Sequence, residues 1–319
     1  LIDVFFGQLA DNAAEQFSGS VRTSVTGEEI TKVYVNADGT DVKQLIQKFL
    51  LGAITYSQAT GDYLGEETDG KGLTTDNIGP DGGTKSYSKL EHQFDEGFGY
   101  FGAARDYLAY NDNEIAGKVK TAEDGRESWN GKYDTNADGE YDLTSEVNLG
   151  FSSNAAKRDR GTASNANPTD FTNQIMSAFI AGRKIINDNA GMALSKDQMA
   201  ALLVQRDIIV DGWERAIAAT AVHYVNDLNA DLAKFGTDDF NFTDVAKHFS
   251  ELKGFSLSLQ FNPYSKINDA NFQQIQNLIA DQPVLSADED VTSYQADLVS
   301  ARDIIAASLS FDDENVQNW

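Results

Sequence analysis

In the stretch "YDTNADGEYDLTSEVN", Asp134, Asn136 and Asp138 stand at alternate positions, and Gly139 follows at once. Short side-chain oxygens on alternate residues of a tight loop converge on one point, and a glycine beside them lets the backbone turn sharply. This is the opening of an EF-hand-type loop. It implies calcium, held by Asp134, Asn136 and Asp138, by the Glu140 carbonyl, and by Asp142 directly or through water. The closing carboxylate comes one residue late: position twelve is Ser145 and the acid is Glu146. A loop one residue longer, or a following helix turned slightly, has to deliver it. No clear helix precedes the loop, which reads as an isolated structural site rather than half of a paired sensor. The competing reading is an Asp/Asn/Gly turn without an ion. The segment "VNADGTD" at 35–41 repeats the Asn-Ala-Asp-Gly core with Tyr34 where Asp134 stands, and reads as such a turn.

Histidine is the other residue type with chemistry to offer, and the chain has three. In "KLEHQFDEGFGYF", at about 100° per residue, His92, Glu96, Gly99 and Ala103 fall within roughly 60° of one another. They lie opposite a bulky face of Leu90, Phe94, Phe98, Phe101 and Leu108. The expectation is a helix buried on two sides, with His92 and Glu96 directed into an interhelical space. In "KHFSELKGF", His248 precedes Glu251 by three residues, and one deletion aligns the two segments as His, aromatic, acid, Gly-aromatic. That is a weak internal repeat, one copy per half. Histidines and carboxylates from two helices suit a transition metal such as iron or zinc, so His92, Glu96, His248 and Glu251 form a second candidate set. The alternative is a buried histidine hydrogen-bonded to a carboxylate. His223, with Asn226 and Asp227 nearby, reads as a packing residue.

The elements that must position these groups are helical. Four prolines, at 80, 168, 263 and 283, each border an apolar periodic run. A capping Asp41 opens a helix over about 41–59, and others are predicted over 85–110, 169–188, 195–235 with a kink near Asp211-Gly212, 240–261, 269–280 and 291–309. Residues 61–84 read as a Gly/Asp loop, and a short helix is expected after Leu143. "SVRTSV" and "TKVYVN" flank Gly27 and predict a small β-hairpin near the N-terminus. The fold class is all-α: a first helical half (1–110), an irregular connection carrying the calcium-type loop (111–168) and a second helical half (169–319), together one compact unit.

Composition narrows the partners. With 25 Lys+Arg against 50 Asp+Glu, the net charge is −25, which disfavours nucleic acid and anionic membrane surfaces. Cysteine is absent, which excludes disulfides, Cys-ligated metals and a thiol nucleophile. No apolar run approaches the roughly 20 residues of a membrane helix. The chain starts at Leu1 rather than Met, compatible with a removed leader or anchor. Neither His-Glu-x-x-His nor Gly-x-Ser-x-Gly occurs, so hydrolase chemistry has little to stand on.

Four blocks, "KLEHQFDEGFGYFGAARDY", "DTNADGEYDLTSEVNLGF", "DGWERAIAATAVHYVND" and "KHFSELKGFSLSLQFNP", resemble an uncharacterised domain family of bacterial cell-envelope proteins, itself similar to the imelysin-like proteins. The resemblance covers most of the chain from about Asp41. It implies two related helical bundles, export to the periplasm or cell surface, and often lipid anchoring. Imelysin-like proteins carry a Gly-x-His-x-x-Glu motif thought to bind metal. Here Leu90 and Ala246 stand at the glycine position, and Asp95 takes the acid position after His92, while Glu251 keeps it after His248. The expected function is an exported, calcium-stabilised helical binding protein that captures a metal ion, a metal complex or a protein partner. The alternatives are a structural or interaction protein with calcium only and, behind both, a metallopeptidase.

Overall fold

A computed structural model describes residues 2–66, 70–119, 136, 138–286 and 290–319. The fold is mostly helical, as the periodicity predicts. The described helices are α1 (Ile2–Phe17), α2 (Val42–Leu50), α3 (Lys89–Phe101), α4 (Asp112–Ile115), α5 (Gly150–Thr162), α6 (Phe171–Asp188), α7 (Lys196–Leu232), α8 (Phe242–Ser258), α9 (Asp269–Ile279), α10 (Val291–Leu309) and α11 (Asp313–Asn318). The small sheet near the N-terminus pairs β1 (Arg22–Thr23) antiparallel with β2 (Glu29–Ile30), Arg22 opposite Ile30. Its second strand begins ahead of the predicted "TKVYVN", in which Val35 only bridges to Asp41.

Local signals set the helix ends. The Asp41 carboxylate accepts the Gln44 amide at 3.0 Å and starts α2, after which the chain continues as π-helical turns over Leu51–Tyr56 and Gln58–Tyr63. Helix α3 is shorter than the predicted 85–110. A capping box starts it, Ser88 Oγ accepting the Glu91 amide and Glu91 accepting the Ser88 amide. Gly102, at φ +81°, ends it. Helix α7 runs unbroken through Asp211-Gly212. A Cβ on Gly212 would lie 2.7 Å from the Ile175 side chain, so this glycine admits α6 rather than a kink.

The chain divides into two compact units. The first comprises Leu1–Gly52, Ala218–Gln260 and Lys266–Trp319. Its core joins Val42 and Leu45 of α2, Val225 and Leu228 of α7, Phe249 and Leu252 of α8, and Leu298 and Ile305 of α10, all buried. Helices α2 and α8 approach closely, because a Cβ on Gly254 would sit 2.5 Å from the Lys48 Cβ.

The second unit comprises Ala53–Ile217 and Phe261–Ser265. Its centre is Trp213, fully buried, with the rings of Phe101, Tyr56 and Phe151 at centroid distances of 5.1, 5.2 and 5.7 Å. Burying such side chains stabilises the fold by roughly 1.5–3 kcal/mol each. In the same unit, the buried Asp159 of α5 accepts the amides of Phe171 and Thr172, each at 2.8 Å, and so caps α6 from a neighbouring helix. Burial pushes the Asp159 carboxyl up to about 7, against the pull of those two amides.

Candidate binding site

Gly139 adopts φ +86°, the left-handed turn that a calcium-type loop requires at this position. Around it the loop bonds to itself. The Asp138 amide donates to Asn136 Oδ1 at 3.1 Å, Asn136 Nδ2 donates to Asp138 Oδ2 at 2.9 Å, and Asp138 Oδ1 accepts the Glu140 amide at 2.9 Å. Glu146 is 1% exposed. Its carboxylate folds back, Oε2 accepting the Asp142 amide at 3.0 Å and Oε1 the Asn136 amide at 3.4 Å. The acid that falls one position late in the sequence therefore reaches the third and ninth loop positions.

Asp142 turns instead toward residues 144 and 145. It accepts the Thr144 amide at 2.8 Å and the Thr144 and Ser145 hydroxyls at 2.6 Å each. These bonds, Ser145 foremost, hold its carboxyl well below the usual carboxylate range, with a smaller contribution from the Arg105 charge. Asp134 lies outside the described residues. Among the described residues, no three histidine or acidic side chains are placed to hold one ion.

Residues 143–149 continue from the loop as one wall of a pocket of about 890 Å³. Leu143, Val147 and Leu149 line it from this segment, Phe94, Phe98 and Gly99 from α3, and Met176, Phe179 and Ile180 from α6. The segment is tied to the end of α3. The Leu149 amide donates to the Gly102 carbonyl at 2.8 Å, and Asn148 Oδ1 accepts the Ala104 amide at 2.8 Å. Any Cβ at Gly102 would sit 2.5 Å from the Leu149 carbonyl oxygen, so glycine is required there for packing as well as for its φ. Leu143, Leu149 and Ile180 are 73%, 58% and 50% exposed. Large apolar side chains left in water around one concavity mark a binding site rather than a core.

Charge at the pocket runs against that of the chain. Arg105, Arg183 and Lys184 line it beside Asp95 and Asp188. Arg183 bridges Glu91 at 3.0 Å and Asp95 at 2.8 Å, and Lys184 pairs with Asp188 at 2.7 Å. Arg105 is exposed and has no carboxylate at ion-pair distance among the described residues. The small-residue face of α3 is not the helix contact expected from its spacing. A Cβ on Gly99 would meet nothing within 4 Å, and His92 and Glu96 stand with side chains 36% and 40% exposed.

The histidine set divides between the units, His92 and Glu96 in the second, His248 and Glu251 in the first. His92 Nε2 is 3.9 Å from Glu96, and its ring stacks on Tyr87. Glu251 turns to Lys48, 3.5 Å away, both side chains largely buried. Burial lowers the Lys48 pKa and Glu251 opposes that shift. The neighbours of His248 come from α7 instead. Nδ1 meets Asp231 at 2.7 Å, and Nε2 lies 4.0 Å from Asp227 Oδ2. That same Asp227 oxygen is 3.3 Å from His223 Nε2, while His223 Nδ1 meets the Trp319 carbonyl at 3.1 Å. The sequence reading missed this His–Asp–His grouping. Its signal was the i, i+4, i+8 spacing of His223, Asp227 and Asp231 along one face of α7.

No curated protein and no solved structure matches the chain. Residues 3–136 match one family model, the Domain of unknown function DUF4856, so this stretch is a DUF4856 domain, of an uncharacterised family.

Proposed function

We propose that the chain is an exported, calcium-stabilised helical binding protein of the bacterial cell envelope. One observation carries this reading: the closing residues of the calcium-type loop, 143–146, run directly into the pocket wall at 143–149, with Glu146 tying that segment back to Asn136 and Asp142. In the proposed bound form, Asp134, Asn136, Asp138, the Glu140 carbonyl, Asp142 and Glu146 hold the ion. Asp142 exchanges the Thr144 and Ser145 hydroxyls for it, and the pocket wall is braced. Extracellular calcium modules bind in the weak class of about 10⁻⁴–10⁻³ M, and the proposed site is of that class. Such a site fills in a calcium-rich medium outside the cytoplasm, in keeping with the resemblance of these segments to envelope proteins. The acidic surface suits a saline medium as well.

The test is thermal and urea unfolding with calcium, magnesium or chelator. Calcium at 10 mM should add about 1.5–3 kcal/mol of stability, magnesium much less, and Glu146→Gln should abolish the gain. No gain, or the same gain in Glu146→Gln, overturns the loop reading.

A second reading, a structural or interaction protein with calcium only, is favoured at the histidines by the Glu251–Lys48 pair and the His92–Tyr87 stack, which give both segments ordinary packing roles. Metal analysis after purification without chelator separates the two. One iron or zinc per chain, lost in His92→Ala or His248→Ala, would restore metal capture, whereas calcium alone favours the second reading. Proteolysis abolished by Glu96→Ala would be required to revive a metallopeptidase.

A further inference from the structure

We infer that the pocket between α3, α6 and residues 143–149 takes a small amphipathic anion, an apolar body ending in a carboxylate or similar head group. The inference rests on the reading of this region as a binding site and names its ligand class.

Size sets the first limit. A cavity of about 890 Å³ holds one drug-sized molecule. The walls select the body. Phe98 and the edges of the buried Phe94 and Phe179 form the pocket floor, while Leu143, Leu149 and Ile180 are exposed among the described residues. An apolar ligand body removes that surface from water.

Charge selects the head. Carboxylates outnumber cations 50 to 25 in the chain, yet three cations and two carboxylates line this pocket. Two of the cations are already engaged, Arg183 with Glu91 and Asp95, Lys184 with Asp188. Those pairs fix the rim without demanding a ligand. Arg105 lacks an ion-pair carboxylate among the described residues and stands exposed in the pocket lining. A guanidinium in that position is matched by a planar oxyanion, which it can bind with two parallel hydrogen bonds. A cationic ligand would meet like charge at Arg105, with Asp95 and Asp188 already paired to Arg183 and Lys184, and a neutral one would bring that guanidinium no counter-charge beyond Asp142.

Gly99 offers a place to block the pocket. It belongs to the lining, and a Cβ there would meet nothing within 4 Å, so a larger side chain has room to enter. Replacing a helical glycine also favours the helix. Gly99→Leu should therefore fold at least as stably as the parent while losing the pocket.

The experiment follows the fluorescence of 1-anilinonaphthalene-8-sulfonate on the full chain and its displacement by dodecanoate, dodecanol and dodecyltrimethylammonium, in excess calcium and in chelator. Dodecanoate should displace the dye most effectively. Gly99→Leu should weaken dye and dodecanoate at least about tenfold with no fall in melting temperature. Arg105→Gln should weaken dodecanoate about fivefold and dodecanol less than about twofold. Unchanged dye binding in a folded Gly99→Leu variant would overturn the pocket. Equal displacement by the cationic detergent, or an Arg105→Gln variant that binds dodecanoate unchanged, would overturn the anion. Should the loop reading alone fail, the displacement series survives and only its response to calcium disappears.

Discussion

On α3, His92 stands partly exposed, stacked on Tyr87, with Glu96 3.9 Å away. On α8, the His248 side chain is 18% exposed, with Asp231 at 2.7 Å and Asp227 at 4.0 Å, while Glu251 is drawn off to Lys48. The two segments read alike in sequence. What separates them is the neighbouring element: α7 brings two carboxylates to His248 and α2 brings a lysine to Glu251, whereas the corresponding face of α3 is left open. Spacing along a helix decides which side chains share a face. It does not decide what that face meets.

The contrast can be broken most readily at the acids. Glu251→Ala leaves the largely buried Lys48 ammonium with only the Gln47 side-chain oxygen at 2.9 Å and should lower stability by about 3 kcal/mol, while Glu96→Ala at the exposed site should change it by less than about 0.5 kcal/mol. Urea unfolding of both variants checks this. Comparable losses would mean that the two sites are alike after all.

Asp159 sharpens the comparison from within the pocket-bearing unit, because its carboxylate is buried with no cation at ion-pair distance among the described residues. Its folded-state pKa, about 7, lies above the unfolded value. The folded protein therefore binds the proton more tightly, and this group's stabilising contribution is full below about pH 4. It is lost as pH rises from about 4 to about 7 and is constant above that. Melting temperatures across this window should fall by the equivalent of about 1–4 kcal/mol, and Asp159→Asn should flatten the fall. A wild-type curve that rises instead would reverse the assignment. The two histidines repeat the contrast on a smaller scale. His248→Ala should lose about 1–3 kcal/mol through its bond to Asp231, and His92→Ala about 0.5 kcal/mol or less, measured in the same titrations.

The sequence made the helices legible where polar caps meet apolar periodicity, as at Asp41 before α2 and Ser195 before α7. Helix α5 was harder to see. It buries Ser152, Arg158 and Asp159 alongside Phe151 and Ala155, so its inner face carries no apolar stripe. Helix α1 buries no residue fully and left no clear pattern either. In the loop, Gly139 and Glu146 could be anticipated from spacing alone. The pocket could not, because Leu143, Leu149 and Ile180 become one apolar surface only when α6 and the segment after the loop meet. The small face of α3, read as a helix contact through Gly99 and Ala103, contributes residues to that pocket instead. The His223–Asp227–His248 grouping stayed hidden for the same reason, since its members lie on two helices.

The central claim is that loop and pocket act as one device through residues 143–149. Dye affinity for the pocket, measured at saturating calcium and in chelator, tests it most directly, because coupling between two sites must appear in both binding equilibria. The account predicts affinity several-fold higher with calcium, roughly 1 kcal/mol of coupling, and no difference in Glu146→Gln. Calcium that binds and stabilises the wild-type chain while leaving dye affinity unchanged would contradict it.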